Sequence, residues 1–112
     1  MIDYTGFDEK VITMKCDHED IAGKPMSMQE NDTVKIANGG DAFLGFGVAA
    51  RGGYATVQVG GFAKVKVGEG GINLGRAVIT ADGKGGVSRS TEGNVVQVLY
   101  YDSDTQIAGI IF

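Results

Sequence analysis

The sequence predicts an all-β fold, a small antiparallel barrel or sandwich of about eight short strands with an extended N-terminal arm. Three observations predict it. Apolar and polar residues alternate over runs of strand length. Glycine is abundant, 19 residues of 112 against a single proline, and it punctuates those runs without any Gly-x-y period. No stretch of helical length carries an apolar stripe at 3.6-residue spacing without a glycine breaking it. The length suits one domain, so residues 10–112 are expected to form a single β domain and residues 1–9 an arm.

The arm carries isolated apolar side chains, Ile2, Tyr4 and Phe7, among polar ones, and has no neighbouring turn to fold it back. That pattern predicts a segment whose apolar side chains find a core on a partner, where an extended chain adds to an exposed sheet edge. The competing expectation is that residues 2–7 are the first strand of the barrel. Lys10–Cys16 then alternates, with Ile12, Met14 and Cys16 on one side and Val11, Thr13 and Lys15 on the other, the mark of a half-buried strand. Asp17-His18-Glu19-Asp20 is too charged to bury, and residues 17–23 hold the one candidate for a helical turn. Gly23-Lys24-Pro25 turns the chain into a short strand around Met26 and Met28.

The centre reads as a meander. Thr33–Ala37 places Val34 and Ile36 inward, and Asn38-Gly39-Gly40-Asp41 supplies a hairpin turn to Phe43–Ala50. Arg51-Gly52-Gly53 leads into Tyr54–Val59, with Ala55, Val57 and Val59 on one face and Thr56 and Gln58 on the other. Gly60-Gly61 is either a tight turn or a bulge before Phe62–Val67, where Ala63, Val65 and Val67 point in and Lys64 and Lys66 point out. Gly68–Gly75 is a loop, Arg76–Thr80 a strand, and residues 81–86 a turn. Val87–Thr91 is polar enough for an edge. Val95–Tyr101 and Gln106–Phe112 are apolar runs joined through Asp102-Ser103-Asp104-Thr105, a hairpin.

Composition restricts the function classes. A formal charge of −4 argues against a general nucleic-acid binder, which needs a basic surface to displace counterions. One cysteine forms no internal disulfide, and Met1–Gly6 lacks the basic start and apolar stretch of a signal peptide, so cytosolic synthesis is expected. No apolar run reaches bilayer-spanning length, and no membrane partner is expected.

Motifs with chemical meaning are weak. Cys16 and His18 stand two apart, but a zinc site needs two more ligands and a catalytic pair needs an orienting group, so Cys16 is read as a small core residue and His18 as a loop residue. Gly45-Phe46-Gly47-Val48-Ala49-Ala50 fits a loose dinucleotide fingerprint, yet Arg51-Gly52-Gly53 and another strand follow where a helix is required. Those glycines are read as relieving crowding in a barrel strand. Asp102-Ser103-Asp104 lacks the glycine and distant glutamate of a calcium loop. No enzymatic activity, cofactor or metal is expected. Lys64 and Lys66 beside Tyr54 and Phe62 suggest the alternative of an OB-like module for a ligand or single-stranded nucleic acid, since basic and aromatic residues on one sheet face hold single strands.

From about Ala22 to Phe112 the sequence resembles the small head decoration, or capsid cement, proteins of tailed bacteriophages and prophages. The likeness rests on Gly40-Asp41-Ala42-Phe43-Leu44-Gly45, on Arg51-Gly52-Gly53-Tyr54-Ala55-Thr56-Val57-Gln58-Val59-Gly60-Gly61-Phe62, and on the Asp82-Gly83 turn followed by a polar strand and an apolar C-terminal hairpin. The resemblance implies a structural virion protein, made in the bacterial cytoplasm, that binds the major capsid protein on the outside of the head and stabilises the shell. It implies monomers or homo-oligomers such as trimers on the lattice, with no active site. Ile2, Tyr4 and Phe7 are then the candidate capsid contact.

Overall fold

The computed structural model describes residues 10–112, which form ten strands and no helix. β1 (Lys10–Cys16), β2 (Pro25–Glu30), β3 (Thr33–Ile36), β4 (Gly45–Arg51) and β5 (Tyr54–Gly60) close into a barrel in the order β1-β3-β2-β4-β5. β6 (Phe62–Lys66), β7 (Gly75–Ala81), β8 (Val87–Arg89), β9 (Asn94–Asp102) and β10 (Ile107–Ile111) form a second sheet in the order β6-β10-β9-β7-β8. The all-β fold is as the alternation predicts. The strand count is higher than about eight because pieces as short as the three-residue β8 still pair fully with a neighbour.

The alternating runs of β5 and β6 become faces as read, whereas in β1 only Met14 and Cys16 turn inward and Ile12 is exposed. Ala55 and Val57 of β5 point into the barrel, and Ala63 and Val65 of β6 into the second core, while Lys64 and Lys66 are exposed. Connectivity departs from a meander in three places. β3 and β4 do not form a hairpin, because β2 lies between them and pairs Met26 with both Ile36 and Gly45. The Asn38–Asp41 loop docks instead on the second sheet, where the Gly40 N–H donates to the Ala81 carbonyl and the Ala81 N–H to that of Asp41. β1 and β3 pair in parallel, an exception to the antiparallel expectation that the long connection through β2 makes sterically possible. Gly60-Gly61 is neither hairpin turn nor simple bulge. Here the chain leaves the barrel for the second sheet, with Gly60 paired to Lys10 and Gly61 exchanging two hydrogen bonds with Phe112, of 3.2 and 3.1 Å. Gly61 does this at φ +104°, a region that favours glycine.

Residues 17–23 contain no helix. The segment is a loop anchored by fully buried Ile21, whose carbonyl accepts from the Lys24 N–H at 3.0 Å. Ile21 joins Cys16, Met26, Val34, Ala55 and Val57 as the barrel core. The second core is larger, and three of its members come from the barrel half of the chain, Ala37, Phe43 and Phe46. The Phe46 ring stands 4.9 Å from that of Phe43 and 5.1 Å, edge-on, from that of Phe112. The two halves are therefore joined through aromatic packing as well as through the backbone. The second sheet also curls: Val67 and Val87 form a parallel bridge, and the Gly68 N–H donates to the Val87 carbonyl at 2.8 Å, tying the end of β6 to the start of β8.

One side chain acts as a surrogate strand. The Asn94 side-chain carbonyl accepts from the Phe43 N–H at 2.9 Å, and its amide donates to the Phe43 carbonyl at 2.7 Å. Asn94→Ala leaves both backbone groups of Phe43 without these partners, and an expected loss of about 1–3 kcal/mol follows, read by urea denaturation.

Candidate functional site

Register decides which side chains share the outer face of the second sheet. Ala63 and Val65 of β6, Ala108 and Ile110 of β10, Val96 and Val98 of β9 and Ile79 of β7 are buried inward, so alternate residues face out. Three adjacent rows result. Phe62, Ile111, Gln97 and Arg76 lie across four strands. Lys64, Gly109 and Tyr100 flank them on one side, and Val95 and Val78 on the other.

This face is unusually apolar for an outer one. Val95 is 54% exposed, and Leu99, left unpaired by the irregularity between Val98 and Tyr100, is 37% exposed. Tyr100 lies over Gly109, where a Cβ atom would meet the tyrosine ring, and its ring centre is 6.4 Å from that of Phe62. An open groove of about 240 Å³ lies between Val95, Val96, Gln97, Ile111 and Phe112. Lys64 and Arg76 are the charged side chains of the three rows, which hold no carboxylate. Apolar side chains interspersed with Gln97 and two cations make a mixed surface of the kind proteins use to bind one another.

A second cleft, of about 260 Å³, is lined by Lys66, Gly68, Glu69, Asp82, Lys84 and Gln106. Asp82 is committed to the turn before β8: one of its carboxylate oxygens accepts from the N–H groups of Lys84 at 2.6 Å and Gly86 at 3.0 Å. The lining offers no histidine, cysteine or serine for nucleophilic chemistry.

Among the residues singled out from sequence, Ile2, Tyr4 and Phe7 lie outside the described residues. Cys16 is buried at the end of β1, and its Sγ both accepts from the His18 N–H and donates to the His18 carbonyl, each at 3.4 Å, while His18 itself is exposed. Among the described residues no group of three or more metal-binding side chains is assembled. Gly45–Ala50 lies in strand β4, and a Cβ atom at Gly45 would meet the carbonyl of Gln58, one at Gly47 that of Ile21, so these glycines do relieve crowding. Asp102-Ser103-Asp104 is a turn in which the Asp102 carboxylate accepts from the Asp104 N–H at 2.9 Å. The basic and aromatic residues of the OB-like alternative are only partly brought together. Phe62 and Lys64 share a face, whereas Tyr54 sits at the opposite end of β5, about 20 Å of strand away from Gly60.

The outer apolar face had a sequence signal: Val95–Tyr101 and Ile107–Phe112 are nearly continuous apolar runs, which bury one face and leave the other apolar as well. No protein-family model matches the chain, and no curated protein matches it.

Proposed function

We propose that the protein is a structural virion component that binds the major capsid protein on the outside of a tailed-phage head and stabilises the shell, without enzymatic activity. The observation that carries this reading is the apolar outer face of β6, β10, β9 and β7 on a β body braced by two cores. Such a face, carrying Lys64 and Arg76, suits a protein partner, and the sequence pattern offers Ile2, Tyr4 and Phe7 as a second candidate capsid contact. The resemblance to decoration proteins supplies the class of partner, and the residues that carry it form the β4–β5 hairpin and the crossing into β6. Copies on a symmetric lattice, as monomers or trimers, reinforce weak individual contacts through multivalency.

The test is co-sedimentation with purified heads of the phage or prophage whose head genes neighbour this one. Val95→Asp, on an exposed side chain, is expected to leave the melt within about 0.5 kcal/mol of the parent. The same change, and separately Ile2→Asp/Tyr4→Asp/Phe7→Asp, is expected to weaken head binding by about tenfold or more. Binding unchanged in both variants would remove face and arm as the contact, and no binding by the parent protein would remove the function. Fluorescence anisotropy is expected to show no association with single-stranded DNA at physiological salt, given the acidic balance. Micromolar affinity there would favour the OB-like reading instead.

A further inference from the structure

We propose that the protein self-associates through β1, the open edges of two copies pairing antiparallel about a two-fold axis at Ile12. The contact is formed by the barrel alone and does not depend on the function proposed above.

β3 covers only one end of β1. The two strands pair at Lys15↔Thr33 and Cys16↔Val34, and upstream of Thr33 the chain turns back through Asp32 and Asn31 to β2. Lys10–Met14 therefore run past the tip of that hairpin, with β5 on one side and no strand of the described residues on the other. Alternation fixes which backbone groups point to the open side. The Lys15 N–H donates to the Asp32 carbonyl, on the β3 side, at 2.8 Å, and the Cys16 N–H to the Gly53 carbonyl, on the β5 side, at 3.0 Å. Successive residues of a strand direct their N–H and C=O groups to opposite sides, so Val11 and Thr13 turn theirs to the open edge. The edge is also apolar and uncovered, Val11 being 54% and Ile12 37% exposed. An open edge strand with β-branched residues and no proline is a template for another strand.

A second copy fits this template in one register. Antiparallel hydrogen-bonded pairs join residues whose backbone groups both face the seam. Val11 and Thr13 of one copy meet Thr13 and Val11 of the other, which sets Ile12 opposite Ile12 across the axis and Lys10 opposite Met14. Sliding one way would require the Lys15 N–H, which already donates to Asp32, and sliding the other way leaves Thr13 opposite no residue of β1. In the remaining register Lys10 of each copy ends beside the hairpin tip of the other, where Glu30 and Asp32 are exposed. None of these three side chains makes an ion pair among the described residues. The complementary charges favour a second copy over an unrelated strand. Pairing over so short a segment falls below the roughly 1,200 Å² of a stable interface, so association is weak, with a Kd on the order of 0.1–1 mM.

Cross-linking tests the register. In a Cys16→Ala background, Ile12→Cys sets two thiols opposite each other, with Cα atoms about 4.5 Å apart, whereas Val11→Cys leaves them diagonal, about 7–8 Å apart and out of disulfide reach. Under mild oxidation Ile12→Cys is expected to give at least about fivefold more covalent dimer than Val11→Cys, although position 11 is the more exposed. Equal yields, or more from Val11→Cys, would overturn the proposal. For the parent chain, raising the concentration from about 10 µM to about 1 mM is expected to move the mass in sedimentation equilibrium from monomer toward dimer, and to slow amide exchange at Val11 and Thr13. A monomer mass at about 1 mM would overturn the proposal. So would slow exchange of both amides at about 10 µM, since the edge would then be filled within one chain. Glu30→Gln/Asp32→Asn is expected to weaken association about threefold, and no change there would overturn the choice of a second copy in this register.

Discussion

Phe46→Ala is expected to destabilise the protein by about 3–5 kcal/mol, measured by chemical denaturation. The residue begins on β4, a barrel strand, yet its ring is buried in the core of the other sheet between Phe43 and Phe112. Truncation leaves a cavity where side chains of both halves pack together. Against a typical total stability of about 5–15 kcal/mol, that loss is large enough to separate the unfolding of the halves. Distinct transitions by probes in the two halves are expected for the variant, and a single transition for the parent. A loss below about 1 kcal/mol would show that the two sheets do not depend on this ring.

Gly45→Ala is expected to destabilise at or beyond the upper end of the range of about 1–3 kcal/mol for overpacking. The added methyl would meet the Gln58 carbonyl, a backbone group held in the β4–β5 ladder that cannot rotate aside as a side chain can. Gly60→Ala is the internal comparison. Its nearest neighbours would lie at 3.7 and 3.8 Å, ordinary van der Waals distances, so a change of only about 0.5 kcal/mol in either direction is expected. Thermal melts of the two variants side by side separate crowding from any general effect of removing a glycine. Equal destabilisation would contradict the account of Gly45.

Strand positions were legible in the sequence from the alternating runs, although in β1 the alternation marks a strand whose Ile12 is nonetheless exposed. The face assignments of β5 and β6 follow from period two alone, and Cys16 reads as core because it ends such a run. Pairing was less legible. Asn38-Gly39-Gly40-Asp41 has hairpin chemistry, yet its Gly40 N–H and Asp41 carbonyl bond to Ala81 of the other sheet, a choice made by a residue about forty positions away. The crossing at Gly60-Gly61 shows the same thing: two glycines announce an irregular backbone but not which sheet receives it. The candidate face was half visible. The apolar runs of β9 and β10 show that both sides are apolar, but only the register sets Val95 beside Val78 and places Ile111 next to Phe62 and Gln97. Lys64 reads as outward from alternation, while its position on the same surface as Arg76 depends on two intervening strands.

The barrel uses only residues up to 60 and the second sheet only residues from 62 onward. During synthesis, therefore, every barrel strand exists before any strand of the other sheet. At about 5–20 residues per second, residues 61–112 take roughly 3–10 s to appear, long compared with the microsecond formation of a hairpin. A nascent barrel has time to close while Phe43 and Phe46, whose places lie in the later core, still have nothing to pack against. That interval is the window in which the growing chain exposes its aromatic seam to other nascent chains, and it closes when β10 and Phe112 arrive.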